Sequence, residues 1–383
     1  MKILQVVTYI SPDGAYGGPV RVALNQAKAL SKLGHEVVIA AAAGGFQGPL
    51  PVESDGFPVR LFQARKVLPR TGFAGLSSPG LLRWLAANLK DFDVLHVHLA
   101  RDLVTLPAAA LSLQLKVPFV VQTHGMIDPT QKKLAGPLDR HLTKPVLKAA
   151  RSVFYLTERE RQSLTDVAGK LHNLRYLPNG VDVPTSAAIE QGEGPQQNPE
   201  VLFLARLHSI KRPSLMVNAA RDLEKAFPST QFTLVGPDEG EASHVSALIH
   251  SSKQENRVHW AGPLPPEETL SRMCQASVYA LPSSAEVFPM SVLEAMSVGL
   301  PVIVTDGCGL APMITENSAG VVCDQTPKNF SKAVEELLRQ PERRVVMGSN
   351  ARRAVKELHS ITRVAKNLLY EYEKAYKPQG ANK

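Results

Sequence analysis

Short apolar runs alternate with stretches of helical length along nearly the whole chain, and few architectures accept that pattern. In the first half the runs fall at residues 3–7, 36–40, 59–62, 94–97, 119–123, 152–156 and 175–177. Helical segments fit between them, the clearest being 20–33, which Gly34 ends. The second half repeats the scheme at 200–204, 231–235, 258–260, 278–281, 302–305 and 321–323, although the halves share no sequence repeat. Repeated strand-then-helix units of this length predict parallel sheets covered on both faces. At 383 residues there is room for two such domains. We assign a first domain to 1–182, a linker to 183–199, a second domain to 200–360, and a separate terminal segment to 361–383. The linker, rich in Gly, Pro and Gln, cannot bury a core. Within 361–376, Val364, Leu368, Tyr372 and Ala375 share one helical face.

Composition narrows the classes. The chain is 44% hydrophobic and 20% charged, as expected of a soluble globular protein. It has no run of 18 apolar residues. Its opening apolar stretch is too short for a signal-peptide core, so a cytoplasmic location is expected. Cys274, Cys308 and Cys323 are spaced for neither a metal site nor a disulfide framework. The net charge of +8 is unevenly placed: residues 1–182 hold 22 Lys and Arg against 13 Asp and Glu, and the remainder 21 against 22. Arg60, Arg65, Lys66, Arg70, Arg83 and Lys90 lie in a stretch without acids, interleaved with Phe73, Leu76, Leu81, Leu82 and Trp84. Lys132, Lys133, Arg140, Lys144, Lys148 and Arg151 form a second group, opposed only by Asp139. Such a face suits an anionic membrane surface, which would make the protein peripheral at the inner face of the cell membrane; the alternative is a solvated basic face. No nucleic-acid motif or stacking pattern of aromatics appears, so nucleic acid is not expected as a partner.

The candidate site starts from two glutamates, Glu286 and Glu294, in Ser-Ser-Ala-Glu286-Val-Phe288-Pro-Met290-Ser291-Val-Leu-Glu294-Ala-Met. Glu286 falls in the loop after the strand at 278–281, at the edge where open α/β sheets bind ligands. Glu294 falls in a helix, roughly 290–298, whose other residues leave no polar stripe, so its carboxylate needs hydroxyls or a cation. Two carboxylates near one crevice, without a His or Cys cluster, suit a polyhydroxylated ligand better than a metal. The plainer alternative makes Glu286 a helix cap and pairs Glu294 with a core cation.

Arg206 and Lys211 follow the strand at 200–204 and precede a helix near Pro213. Cations at that position can hold a diphosphate, although two surface cations are the ordinary alternative. Gly17 and Gly18 follow the first strand and precede a helix that Pro19 can start, so their backbone N–H groups can approach a phosphate. They do not form the Gly-x-Gly-x-x-Gly fingerprint, which disfavours a dinucleotide-dependent dehydrogenase. His124 ends the fifth strand, again at the ligand edge. His259 and Trp260 end another strand and are weaker candidates for contact with a nucleotide base. Asp306 has no second carboxylate at Asp-x-Asp spacing, so no metal is implied.

These residues resemble the signature of retaining glycosyltransferases of the GT-B fold, of the group 1 or family 4 type. The resemblance rests on Glu286 to Glu294 with the following Ala-Met-x-x-Gly-x-Pro-Val, on Arg206-Leu-x-x-x-Lys211, on Asn179-Gly180-Val181-Asp182, and on Asp306-Gly-Cys308-Gly309. Relatives often carry glycines where this chain has Val287, Pro289, Ala205 and Arg212, and Pro289 lacks a backbone donor. The resemblance implies two Rossmann-like parallel-sheet domains facing an interdomain cleft, with the final helix crossing back to the first domain. It implies a UDP- or GDP-hexose donor and a carbohydrate or lipid-linked acceptor, in cell-surface polysaccharide or glycoconjugate synthesis, with configuration retained and no metal or other cofactor. By the same resemblance Glu286 holds the donor sugar's hydroxyls and Glu294 the ribose, with Phe288, Met290 and Ser291 beside the donor. Arg206 and Lys211 stabilise the leaving diphosphate, and His124 lies near the reacting sugar. A sugar-nucleotide epimerase of the same fold and a non-catalytic partner of another transferase are the competing readings.

Overall fold

The computed structural model describes residues 1–12, 17–68, 71–132, 135–185 and 198–376. Most of the 183–199 segment therefore lies outside the described residues, as do Arg70, Lys133 and the side chain of Phe73. The chain divides into two compact units, Met1–Gly180 with Ile361–Lys383, and Val181–Ser360.

In the first unit seven strands run parallel: β1 (Lys2–Ile10), β2 (Glu36–Ala43), β3 (Phe57–Gln63), β4 (Val94–His98), β5 (Phe119–Gln122), β6 (Val153–Tyr155) and β7 (Leu174–Tyr176). Their order is β7-β6-β5-β4-β1-β2-β3, and Glu53–Ser54 adds a short antiparallel edge. The order reverses direction between β1 and β4, the kind of point beside which doubly wound sheets bind ligands. Alternation along the strands divides the core. Ile3, Val7, Ile39, Val94 and Val120 pack against helix α1 (Gly17–Lys32) and the C-terminal helix Ile361–Tyr376. Leu4, Val6, Leu95, Val97 and Val121 face the opposite helical layer.

The C-terminal helix belongs to this unit because Ile361, Val364, Leu368, Tyr372 and Ala375 are all buried there. Full burial of Val364 and Leu368 stabilises the docking by about 1.5–3 kcal/mol each. A Cβ on Gly180 would stand 2.9 Å from Ile361 Cα, so only glycine lets these two segments meet. Helix α1 opens at Gly17, two residues before Pro19; within a first turn the missing proline N–H removes no helical bond. Residues 13–16, just before it, lie outside the described residues.

The second unit repeats the winding. Strands β8 (Glu200–Leu204), β9 (Gln231–Val235), β10 (Val258–Trp260), β11 (Val278–Leu281), β12 (Val302–Thr305) and β13 (Gly320–Cys323) are parallel, in the order β10-β9-β8-β11-β12-β13. Here the reversal falls between β8 and β11. The chain enters at Val181 and leaves at Ser360, and these ends pair: Val181 N–H donates to His359 O at 3.0 Å.

The basic face of the first unit is only partly as its sequence suggests. Arg60, Arg65, Lys66, Arg83 and Lys90 are exposed. Of the apolar residues among them, Leu81 is in the core, Trp84 packs on Phe62 and Phe92 with Arg60 over its ring, and Val67 is exposed. The helix Pro79–Asn88 uses its large apolar residues for its own sheet and leaves Gly80, Arg83, Ala86 and Ala87 facing outward.

Candidate active site

In the second unit four strand-end loops are tied together at the reversal point. The loop after β8 is bound to the loop after β9, with Leu207 N–H donating to Pro237 O (2.8 Å) and Glu239 N–H to Leu207 O (3.1 Å). Gly236 allows this approach: its φ is +144°, and a Cβ there would lie 2.0 Å from Ala205 O. The loop after β11 joins through Ser284 N–H to Ile210 O (2.9 Å). The loop after β12 brackets Glu286, accepting its N–H at Gly307 O (3.0 Å) and donating Gly309 N–H to Glu286 O (2.7 Å). A Cβ on Gly307 would meet Ser284 O at 2.3 Å, so glycine is required there as well.

This lacing positions the charged groups. Arg206 pairs with Glu239 at 2.5 Å, and Lys211 pairs with Glu286. The second pair is the more enclosed, with side chains 17% and 12% exposed against 42% and 28% for the first. Helix α3 (Met290–Ser297) starts after Pro289, so its first-turn N–H groups have no intrahelical partner and favour negative charge. Glu294 is buried within it. Behind both glutamates stands Tyr279, fully buried on β11, whose hydroxyl donates to Leu204 O (3.0 Å) and bonds Ser291 Oγ (2.7 Å). Burial pushes its ionisation up, and the carboxylates of Glu286 and Glu294 add to the push. The Cys308 thiol is pushed up to about 12, chiefly by burial and further by Glu286, with Lys211 opposing. It stays a neutral thiol.

Thus Arg206, Lys211, Glu286, Glu294, Met290 and Ser291 come together in one strand-end region of this unit. Phe288 is half-buried and packs on His359, 5.5 Å between ring centroids. Trp260 ends β10 with its indole N–H on Gly236 O (3.0 Å), beside the same loops. His259 does not join them: its exposed ring bonds Gln231, the first residue of β9 and so at the opposite end of the sheet (3.2 Å).

In the first unit His124 occupies a tight turn after β5. Its φ is +51° and that of Gly125 is +74°, and Met126 N–H returns to Thr123 O at 2.8 Å, the pattern of a type I′ turn. Left-handed backbone is uncommon for a non-glycine residue, so something must hold it. Glu160 does, from the first turn of helix α2 (Glu158–Ala168). Its carboxylate accepts from Thr123 Oγ1 (2.6 Å), Gly125 N–H (2.5 Å) and Leu156 N–H (2.6 Å). Burial still pushes its pKa up.

Behind His124 lies a polar layer on the sheet face shared with α1. His98 Nδ1 is 2.8 Å from His124 Nε2, with the rings nearly coplanar at 9°. His98 Nε2 faces Gln5 Oε1 at 3.4 Å. His96 stacks on His98, 4.5 Å between centroids, and bonds Tyr372 Oη through Nδ1 at 2.7 Å. Burial lowers the pKa of His96 and of His124 to about 3, and that of His98 well below its usual value. All three rings are neutral at pH 7. Gly17 and Gly18 begin α1 in this unit and have no side chain to place.

Residues 17–180 match the family model described as glycosyl transferase 4-like domain, and residues 186–354 match that of the glycosyl transferases group 1. The chain belongs to the group 1 glycosyltransferases. Among its relatives is the D-inositol 3-phosphate glycosyltransferase of Kineococcus radiotolerans, 28% identical, with 89% of this chain and 86% of that protein covered. The alpha-D-kanosaminyltransferase of Streptomyces kanamyceticus is 26% identical over 73% of this chain and 78% of its own. Among solved structures, sucrose-phosphate synthase of Thermosynechococcus elongatus superposes with a TM-score of 0.78 at 19% identity, covering 98% of this chain and 99% of that one. HepE of Anabaena, in complex with UDP and glucose, gives 0.76 at 18% identity over 97% and 99%. The fold is GT-B, and the transferase relatives do not favour an epimerase.

Sequence reasoning passed over Glu239, Tyr279, Glu160 and His98. Only His98 carried a visible signal, since it and His96 are the polar residues of the strand run Val94-Leu-His96-Val-His98.

Proposed function

We propose that this glycosyltransferase moves a hexose from a nucleoside diphosphate sugar to a carbohydrate or lipid-linked acceptor, retaining anomeric configuration. The observation that carries the reading is the grouping of Arg206, Lys211, Glu286, Glu294 and the α3 N-terminus at the β8/β11 reversal. Breaking the anomeric bond leaves charge on a diphosphate, and preformed cations with helix amides stabilise that charge. Lys211 and Arg206 then exchange their carboxylate partners, Glu286 and Glu239, for the oxygens of the leaving diphosphate. Glu286 and Glu294 turn to hydroxyls of sugar and ribose, and Tyr279 keeps Ser291 and the α3 entrance in place. His124 accepts a hydrogen bond from a sugar hydroxyl.

A UDP-linked donor is the first candidate, because the similar HepE structures hold UDP and UDP-glucose. GDP-linked sugars are the second. This assignment of charge to Arg206 and Lys211 leaves the reaction no need of a metal. We place the enzyme on the cytoplasmic side, working at the inner face of the cell membrane in the synthesis of a surface polysaccharide or glycoconjugate. The basic face of the first unit supports that reading.

The test is a thermal-shift screen of UDP- and GDP-hexoses with and without EDTA, followed by transfer assays with the stabilising donor. A donor held at about 100 times its Kd stabilises by about 2.7 kcal/mol. Proton NMR of the product reads the anomeric configuration. No stabilisation by any nucleotide sugar, loss of it in EDTA, or an inverted product would each overturn the matching part of the reading.

A further inference from the structure

The buried histidines of the first unit are more than packing. His96 and His98 stand on the same face of β4, next to β1 with Gln5 and β5 with Gln122, inside an apolar sandwich. A polar group at such depth costs free energy unless it is bonded, so retention of a connected set needs a reason.

Following the bonds outward gives one. Gln5 Oε1 accepts, so His98 Nε2 carries the proton that it faces at 3.4 Å. A neutral imidazole has one donor and one acceptor nitrogen, so His98 Nδ1 is then an acceptor. Its partner at 2.8 Å, His124 Nε2, must carry the hydrogen. That leaves the lone pair of His124 on Nδ1, which bonds no group among the described residues.

We propose that His98 is a positioning residue: through Gln5 it fixes His124 in the Nε2–H tautomer, so that His124 meets a ligand only as a hydrogen-bond acceptor at Nδ1. The proposal rests on the reading of His124 as a sugar-contacting residue, but the tautomer itself is a property of the protein alone. An acceptor at Nδ1 selects an O–H donor, which is what a sugar hydroxyl offers and a carbonyl or phosphate oxygen does not. The type I′ turn clamped by Glu160 fixes the backbone under the same ring, so orientation and proton position are set by separate contacts. Burial keeps the rings neutral, and without that neutrality the single-proton pattern would be lost.

The experiment reads the proton directly. Protein with 15N-labelled histidine is examined at pH 7.5 by long-range 1H–15N spectroscopy, His124 being assigned by its absence in His124→Ala. The wild type is expected to show a protonated Nε2 and an unprotonated Nδ1. His98→Phe keeps the ring against His96 but removes the acceptor, so His124 should redistribute towards the Nδ1–H form. Loss of the one hydrogen bond that orients His124 should lower turnover roughly 10-fold, and KM for the donor should change less than kcat. His98→Asn, whose amide oxygen takes the place of Nδ1, should restore the wild-type tautomer and part of the rate. A wild-type His124 protonated at Nδ1, as the opposite amide orientation of Gln5 would require, overturns the proposal. So does a His98→Phe protein in which tautomer and kcat are both unchanged. If the tautomers behave as expected but His124→Ala transfers sugar at the wild-type rate, the reading of His124 as a sugar contact fails instead.

Discussion

Replacing Lys211 by methionine tests whether the Lys211–Glu286 pair is both a structural contact and a working part. With the ammonium gone, Glu286 keeps its charge in a place where its side chain is 12% exposed, between the loops after β11 and β12. Breaking a fully buried pair costs about 3–5 kcal/mol, and an exposed one about 0–1. Residual access to water puts this site between them, at about 2 kcal/mol. For a unit of this size that corresponds to a fall in melting temperature of roughly 4–8 °C. Adding Glu286→Gln removes the stranded charge and should recover about half of the loss. Transfer, in contrast, should stay down by about 10²-fold or more in both variants, because neither can clamp the leaving group and the double variant also loses the carboxylate assigned to the sugar. Calorimetry beside a transfer assay reads the two effects separately. A Lys211→Met protein melting within 1 °C of the wild type would refute the structural argument. A double variant that regains activity would refute the functional one.

Arg206→Ala should weaken binding of the free nucleoside diphosphate and lower turnover by about 10²-fold with less loss of stability than at Lys211, since its pair with Glu239 is only half-buried; titration calorimetry with the nucleotide decides. Glu294→Gln should weaken the free nucleoside diphosphate, whereas Glu286→Gln should spare it and lower transfer, and equal affinities for wild type and Glu294→Gln would remove the ribose role. The first unit should be acid-labile. His96, His98 and His124 have folded pKa values below that of the unfolded chain, so stability is full above about pH 6.5 and falls below it by up to about 1.4 kcal/mol per pH unit for each ring. Urea melts at pH 7.5 and 5.5 should show this slope, reduced in His98→Phe. Co-sedimentation with anionic vesicles should be strong at low salt, weak at high salt, and lowered in an Arg65→Ser/Lys66→Ser variant, because these two exposed cations are what anionic lipid attracts.

Both sheets were readable because parallel strands buried on both faces appear as unbroken apolar runs such as Val302–Thr305. The charged residues of the candidate site were readable for the complementary reason. Arg206, Lys211 and Glu286 interrupt or follow those runs where loops emerge. Their partners were not, because pairing depends on strand order. Glu239 reaches Arg206 only because β9 adjoins β8, and His98 reaches His124 only because β5 adjoins β4. The antiparallel pair Arg65–Lys66 with Leu76–Ser77 is too short to leave a periodic signal. In the helix Pro79–Asn88, Arg83 lies between Leu82 and Trp84 in sequence but turns outward once wound, while Leu81 and Leu85 turn to the core. That is why Trp84 looked available for a membrane and packs on Phe62 instead.

The way the chain changes units has a practical consequence. Gly180 rests on Ile361 in one unit, while Val181 is hydrogen-bonded to His359 in the other. Each unit therefore closes its own boundary at a place where two strands of chain already touch. Residues 181–360 are in effect an insertion whose two ends meet, so a bridge of a few residues between Gly180 and Ile361 could replace them without pulling the C-terminal helix from its seat. The first unit could then be produced as a single continuous module, and the second as a free-standing cassette. Exchange of cassettes between relatives at this seam would cut neither core.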